Sequence, residues 1–539
     1  MRGSSVRKVL VVLSITLASA VMAQDVYHHS DPLQKVGSLS FPISCAKTAQ
    51  NRIEHGLALM HSFLFDDAEA QFRTATTEDP TCAMAYWAEA IGLYRPLAYR
   101  PSDADWKQGW ELIQKAKTLN AKTQREQDYI EAAAVLYRPD ERAYSARNHQ
   151  YSTAVEKVYK DYPNDVEAAV AYALSLLTWA DSEDRIADSE KAIAILNPVF
   201  REYPDHPGIA HYLIHATDSP QLAQSGLEAA RRYARTAPAA PHALHMPSHI
   251  FARLGLWEED IDSNLASLAA AQNPASLHVG AEHQIHAMEF LEYAYLQIGE
   301  DEKAEEMLRA QAKIGYDQVD KNLHDYLDQT RADSPALYYL ETRNWKSAEG
   351  LKPDSNAQTY NQAIAYWSQA VAAGHLHDVA AAELAVARYD ALQEATKEGP
   401  HSHRPRFMAT KHDEAHAWLF LLHGKNEEAI DLLRTVADKQ DAEGKGEIEL
   451  PAREMLGDML LEMNRRADAL AEFEKSMKVD PNRFNGLYGA GRAAELLGQP
   501  EKERRYYGQL LQTCAATQST RPELAQARAG MRAKRVSDH

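Results

Sequence analysis

The residues best equipped for chemistry are eight histidines in three segments: HPGIAHYLIHATD (206–218), PHALHMPSHIFARLGLW (241–257) and EHQIHAMEFLEYAYLQIGE (282–300). His211 and His215 are four residues apart, so they share one helix face, about 40° apart around the axis. His242, His245 and His249 follow at spacings of three and four and form a second stripe. The stripes are in register, since His245 and His249 lie 34 residues after His211 and His215. Stacked repeats of that period place equivalent helices roughly 8–10 Å apart. The spacing therefore predicts His211 beside His245 and His215 beside His249, in one pocket able to close on an ion.

Crowded imidazoles either stay neutral or repel one another, so a cation or a carboxylate belongs among them. Asp218 and Glu289 can supply the carboxylate. Three histidines and one carboxylate suit Zn²⁺, Fe²⁺, Mn²⁺ or Cu²⁺, and the lack of a nearby thiolate disfavours a soft Cu(I) site. The candidate metal residues are His211, His215, Asp218, His242, His245, His249, His283, His286 and Glu289. A hydrogen-bonded pocket for an anionic or polar ligand is the competing reading, and a single histidine on a repeat helix is ordinarily only a polar groove residue. Pro247 falls between His245 and His249. Inside a helix it would cost about 3 kcal/mol, so the helix either restarts at Pro247 or kinks there. A broken local rule beside clustered histidines is what functional sites tend to show, although a plain repeat boundary would also explain it.

The elements that must position these residues are paired helices. HGLALMHSFLFDDAEAQFRTATTEDPTCAMAYW (55–87) reads as a helix, a turn at Asp66–Asp67, a second helix and a stop at Asp79–Pro80. His55 and His61 do not share a face and read as ordinary helix polars. Helices are predicted over Thr123–Leu136, Arg147–Tyr159, Asp165–Trp179 and Ile186–Leu196, with stops at Tyr162–Pro163, Asn197–Pro198 and Tyr203–Pro204. The stretch 318–355 is less regular, and 401–405 and 441–449 read as loops. The cleanest repeat is LPAREMLGDMLLEMNRRADALAEFEKSMKVDPNRF (450–484), with small residues where paired helices approach and a proline where the second ends. The predicted class is an all-α, right-handed helical solenoid. Its segments are a lead-in over 24–45, repeats over 46–315, irregular pairs over 316–449, repeats over 450–516 and a frayed polar tail over 517–539.

Composition narrows the partners. Lys and Arg total 58 against 77 Asp and Glu, a net charge of −19. That argues against nucleic acid or an anionic membrane surface and is compatible with cations. Residues 1–23 read as a secretory signal peptide: Arg2, Arg7 and Lys8 precede an apolar run over Val9–Leu17, and cleavage falls after Ala23. The mature chain is expected in the periplasm or outside the cell, with no membrane insertion. Export makes one disulfide the expectation among Cys45, Cys82 and Cys514. Cys45–Cys82 is favoured because those residues flank the first repeat, with free buried cysteines as the alternative.

PISC (42–45), DPTCAMAYW (79–87), HPGIAHYLIHATD, HALHMPSHIFARLG (242–255), LPAREMLGD (450–458) and DPNRFNGLYGAGRAAE (480–495) together resemble a large family of exported bacterial tetratricopeptide-repeat proteins. Most of that family has no assigned activity. The resemblance implies a concave groove lined by the first helix of each repeat, with the histidine stripes facing it and room for a protein or peptide. The acid at Asp218 stands where the family often has Glu. HDEAH (412–416) only superficially resembles a zinc-protease motif and reads as helix surface, and GAGRAAE (489–495) is not a phosphate loop. No nucleophile elbow or nucleotide fingerprint is present. Two functions stay open: a binding scaffold, the usual use of a solenoid, and a metal-dependent hydrolase or oxidoreductase with Asp218 or Glu289 as base.

Overall fold

Local capping signals cut the chain into helices of 5–18 residues. Ser102 with Asp105, and Thr123 with Glu126, close capping boxes that start the helices Asp103–Leu119 and Gln124–Tyr137. Gly255, at φ 62°, ends the helix Pro247–Leu254 in the left-handed conformation that glycine adopts without penalty. The computed structural model describes residues 35–97, 100–140, 143–178, 185–273, 280–396 and 405–535. These form 26 α-helices and two short 3₁₀ turns, with no β-strand among the described residues. The signal segment expected over 1–23 lies outside them, as does part of the 401–405 loop.

Each helix packs chiefly on its neighbours in sequence, which is the arrangement of a helical-repeat stack. Small residues make the close approaches possible. A Cβ on Gly457 or Gly489 would come within 2.6 or 2.2 Å of the Phe473 ring wedged between them. One continuous apolar core runs from Val36 to Phe251, and a second from Ala336 to Ala527. Smaller clusters around Ile285, Phe290 and Leu291 fill the space between them. The histidine segments sit at this junction, and long-range bonds hold it. Trp257 Nε1 donates to the Asn482 carbonyl at 2.8 Å. Arg253 Nη1 donates to the Lys445 carbonyl at 2.9 Å. Arg483, fully buried, is clasped by Glu341, Glu454 and Tyr293.

Four local expectations change. The first turn lies at Ser62–Leu64, not at Asp66–Asp67, because the two acids occupy the first turn of the helix Phe65–Glu78, where they complement its dipole. Pro198 does not stop its helix, which continues over Arg185–Glu202 with the proline inside it. Residues 522–535 are a helix, not a frayed tail. Leu524 and Ala527 are buried in the second core, and Arg521 is paired with Asp301 at 2.9 Å. The stretch 318–355 is irregular at its ends, with two 3₁₀ turns and the five-residue helix Trp345–Glu349, but holds one long helix, His324–Glu341, with Pro335 inside it; the loop expected over 441–449 begins only after Glu443, where the helix Asn426–Glu443 ends. Cys45 and Cys82 form a disulfide with their Cα atoms 5.3 Å apart, while Cys514 is free and buried. Among the described residues, no helix is long and apolar enough to cross a membrane.

Candidate metal centre

Three consecutive first helices present the histidines. His211 and His215 lie on Pro207–Thr217, where Pro207 occupies the first helical position and needs no donor. The next segment is split. Pro241–His245 carries His242 and His245, and Pro247–Leu254 carries His249 on its first turn; Met246 between them keeps helical torsions, φ −49° and ψ −35°, so only the hydrogen-bond ladder is interrupted. The two readings of Pro247 meet here: it takes the first position of its helix, yet the backbone passes through Met246 without leaving the helical region. His283 and His286 lie on Ala281–Gln297.

The six innermost rings form two groups of three. His211, His215 and His242 offer nitrogens all within 4.8 Å of one another, and so do His245, His249 and His286. In the first group His211 Nε2 lies 3.1 Å from Nε2 of both His215 and His242. In the second, His245 Nε2 and His249 Nε2 are 3.0 Å apart. Tetrahedral ligands bonded to one ion at 2.0–2.1 Å stand about 3.3–3.4 Å from each other, so these nitrogens need to open by only a few tenths of an ångström. Each group is thus an i,i+4 pair from one repeat plus one ring from the next. The groups abut: ring centroids are 6.3 Å apart for His242 and His245 and 6.5 Å for His215 and His249. The one-repeat offset therefore joins His215 to His249, but His211 meets His242, not His245.

The opposite ring nitrogens are held from behind. His211 Nδ1 donates to the His61 carbonyl at 2.6 Å. His245 Nδ1 meets Asn264 Oδ1 at 2.7 Å, and the Asn264 amide NH₂ is turned to Asp260, which leaves Oδ1 as the acceptor. His249 Nδ1 donates to Asp218 at 2.9 Å and faces Glu447 at 3.5 Å. His286 Nδ1 lies 3.1 Å from the Tyr326 hydroxyl and 3.4 Å from Glu289. An acceptor on Nδ1 places the proton there and leaves the Nε2 lone pair free, which is how ligating histidines are oriented. Asp218 and Glu289 thus both stand behind histidines. Asp218 also accepts from Arg253 at 3.0 Å, and Glu289 accepts from Thr330 at 2.6 Å and from Tyr326. His283 borders the first group, its ring 6.3 Å from that of His242.

Each group also has its own phenylalanine. Phe63 lies 4.5, 5.9 and 4.7 Å from the rings of His211, His215 and His242. Phe290 lies 4.8, 5.0 and 5.4 Å from those of His245, His249 and His286. These apolar walls narrow the ring rotamers. His211 is fully buried, whereas the His286 side chain is 37% exposed, so solvent reaches the centre from the His286 side.

Burial sets the charge state of most of the cluster. It pushes His211 down to about 3 and His215, His242 and His245 well below the usual histidine value, and neighbouring histidines push the last three further. Each of these shifts favours the neutral ring, the form that binds metal. For His249, burial is outweighed by Asp218 and Glu447, which raise it to about 10. Asp218 is raised by burial and by Glu447, whereas Glu447, although buried, is held well below its usual value by Arg253 and His249.

Two further histidine clusters differ from this centre. His61 is buried and shares Glu167 with His206, at 3.0 and 2.7 Å, and also bonds the Tyr212 hydroxyl. It is not an ordinary surface polar; it fixes the turn whose carbonyl receives His211. His412 and His416 both meet Asp390 Oδ1, at 3.0 and 2.9 Å, on a half-exposed helix face. The sequence reading missed Phe63, Asn264, Arg253, Phe290 and Glu447. Arg253 and Phe290 carried a local signal, four residues after His249 and His286. Glu447 arrives from a loop almost 200 residues on and carried none.

No protein-family model and no curated protein matches the chain. Among solved structures it is similar to a human IFIT1 dimer with PPP-AAAA, at 12% identity and TM-score 0.35, covering 88% of this chain and 92% of that one. It is also similar to the TPR domain of P58(IPK), at 14% identity and TM-score 0.22, covering 84% and 99%. A third is the APC/C hetero-tetramer Cut9-Hcn1, at 13% identity and TM-score 0.33, covering 83% and 76%. All three likenesses are distant.

Proposed function

We propose that the protein is an exported repeat scaffold whose histidine centre binds transition-metal ions. The observation that carries this reading is the anchoring of the rings: Nδ1 of His211, His245 and His249 is tied to an acceptor, and Nε2 atoms of neighbouring rings stand 3.0–3.1 Å apart. Nitrogens so placed must share a proton or a cation, and a metal satisfies all three members of a group at once. All-imidazole ligation suits zinc, copper, iron and nickel better than the hard, oxygen-preferring ions. The repeat surface beyond the centre is suited to a peptide or protein partner. Elemental analysis of the purified protein should find metal, and the His215→Ala/His249→Ala double variant should lose it. A metal-free wild type after exposure to zinc and copper would end this reading. Sequencing the mature N-terminus tests export, with Gln24 as the expected first residue.

One observation favours a catalytic use of the same centre. Each group supplies three nitrogens, and three protein ligands leave a fourth position for water or substrate. Asp218 and Glu289 are both engaged behind histidines, so the nucleophile in this reading is metal-bound water, not water activated by a free carboxylate. In cobalt-substituted protein, azide should shift the visible spectrum if that position is open; an unchanged spectrum would favour a closed, structural centre.

A further inference from the structure

We infer that the centre is binuclear, with one ion on His211, His215 and His242 and a second on His245, His249 and His286. This rests on the metal-binding reading above and goes beyond it in number, arrangement and ligand chemistry. The ligand nitrogens gather as two sets, each within 4.8 Å: His211, His215 and His242, and His245, His249 and His286. The rings that bridge the sets, His242 with His245 and His215 with His249, have centroids 6.3 and 6.5 Å apart. Each set centres on one ring: His211 lies 4.8 and 5.0 Å from His215 and His242, and His245 lies 4.9 and 4.2 Å from His249 and His286, with His249 and His286 themselves 6.0 Å apart. The rings therefore cluster as three and three.

The two groups are built alike. Each takes two histidines four apart from one repeat and a third from the next, and each is walled by one phenylalanine touching all three rings. Each has Nδ1 acceptors behind it: the His61 carbonyl for the first, and Asn264, Asp218 and Glu289 for the second. A pocket serving one ion needs only one such set. The sites are not equivalent. Carboxylates back the second, whereas the neutral His61 carbonyl backs the first, so the second ion is the more tightly held. Copper(II) is the ion that a three-imidazole site binds best by the general order of divalent affinities. Two such ions side by side, each with a free position, suit a small oxygen or nitrogen anion spanning both.

Copper(II) alone is the probe, with zinc counted in parallel. Wild-type protein should take up two equivalents. His242→Ala and His286→Ala should each take up one, and the double variant none. Copper-loaded wild type should show the half-field electron paramagnetic resonance line of two neighbouring Cu(II) ions, and each single variant an isolated axial signal. His242→Gln and His286→Gln, closer in size, repeat the count should an alanine variant melt below wild type. One equivalent in wild type, abolished by either substitution, would overturn the binuclear arrangement and leave metal binding standing. Two equivalents without a half-field line would place the ions apart and overturn it as well. No uptake at all would remove the metal reading itself.

Discussion

Asp218→Asn should weaken one metal ion without dismantling the site. The Asp218 side chain is 11% exposed and receives His249 Nδ1 at 2.9 Å and Arg253 Nε at 3.0 Å. Asparagine keeps the shape and one oxygen to accept from His249, so the ring stays oriented. What goes is the negative charge behind the ligand. A carboxylate hydrogen-bonded to the far nitrogen of a ligating histidine contributes about 10–100-fold to metal affinity, or about 1.4–2.7 kcal/mol. Glu447 faces the same ring at 3.5 Å and keeps part of the field, which puts the expected loss toward the lower end. Competitive titration against a chelator of known affinity reads the loss directly, with Asp390→Asn on the half-exposed His412/His416 face as the control. A loss of tenfold or more at one ion, with the other unmoved and the control silent, is the expected result. An Asp218→Asn protein that binds both ions as wild type does would refute the argument that this carboxylate supports a ligand.

Three other outcomes follow from the fold. Burial raises Glu414 from 4.5 to about 8, and Trp367 Nε1 donates to it at 2.7 Å. Its folded-state pKa lies above its unfolded one, so its contribution is full below pH 4.5 and is lost as pH rises through 8, at about 1.4 kcal/mol per pH unit between them. Glu414→Gln should flatten that part of the stability–pH curve in urea unfolding, and parallel curves for the two proteins would contradict the assignment. Glu167→Ala removes the carboxylate shared by buried His61 and His206 and should cost about 3–5 kcal/mol; a loss below about 1 kcal/mol would mean that the cluster carries no charge pair. Denatured, unreduced protein should show one reactive thiol, from Cys514, and three after reduction, since Cys45 and Cys82 are joined. Three thiols before reduction would rule the bridge out.

The repeat period carried far into the structure because it is a local property. Spacings of four and 34 residues were enough to put His211, His215, His245 and His249 on neighbouring faces. The third ring of each group escaped that logic. His286 follows His242 by 44 residues rather than 34, so no repeat offset pairs them. Packing between repeats decides their roles: His242 meets His211, while His245 and His249 meet His286. Phe63 was illegible for a different reason. It sits in a tight turn at φ 59°, and only tertiary packing decides which way such a residue points. The ring Nδ1 partners were partly legible. Asp218 and Glu289 stood out as acids beside histidines, but their position behind the rings depends on Arg253, Thr330 and Tyr326. Pro198 lies on the exposed side of a helix whose Leu196 and Phe200 are buried in the first core, and the helix 522–535 is held by Leu524 and Ala527 in the second, packing that the sequence did not reveal.

The most direct test is crystallographic. Crystals of copper-loaded protein, measured on both sides of the copper absorption edge, locate the metal without reference to ligand chemistry. Two anomalous peaks are expected, one within bonding distance of the Nε2 atoms of His211, His215 and His242 and the other of His245, His249 and His286. Peaks confined to the exposed His412/His416 face, or none at the centre, would contradict the account.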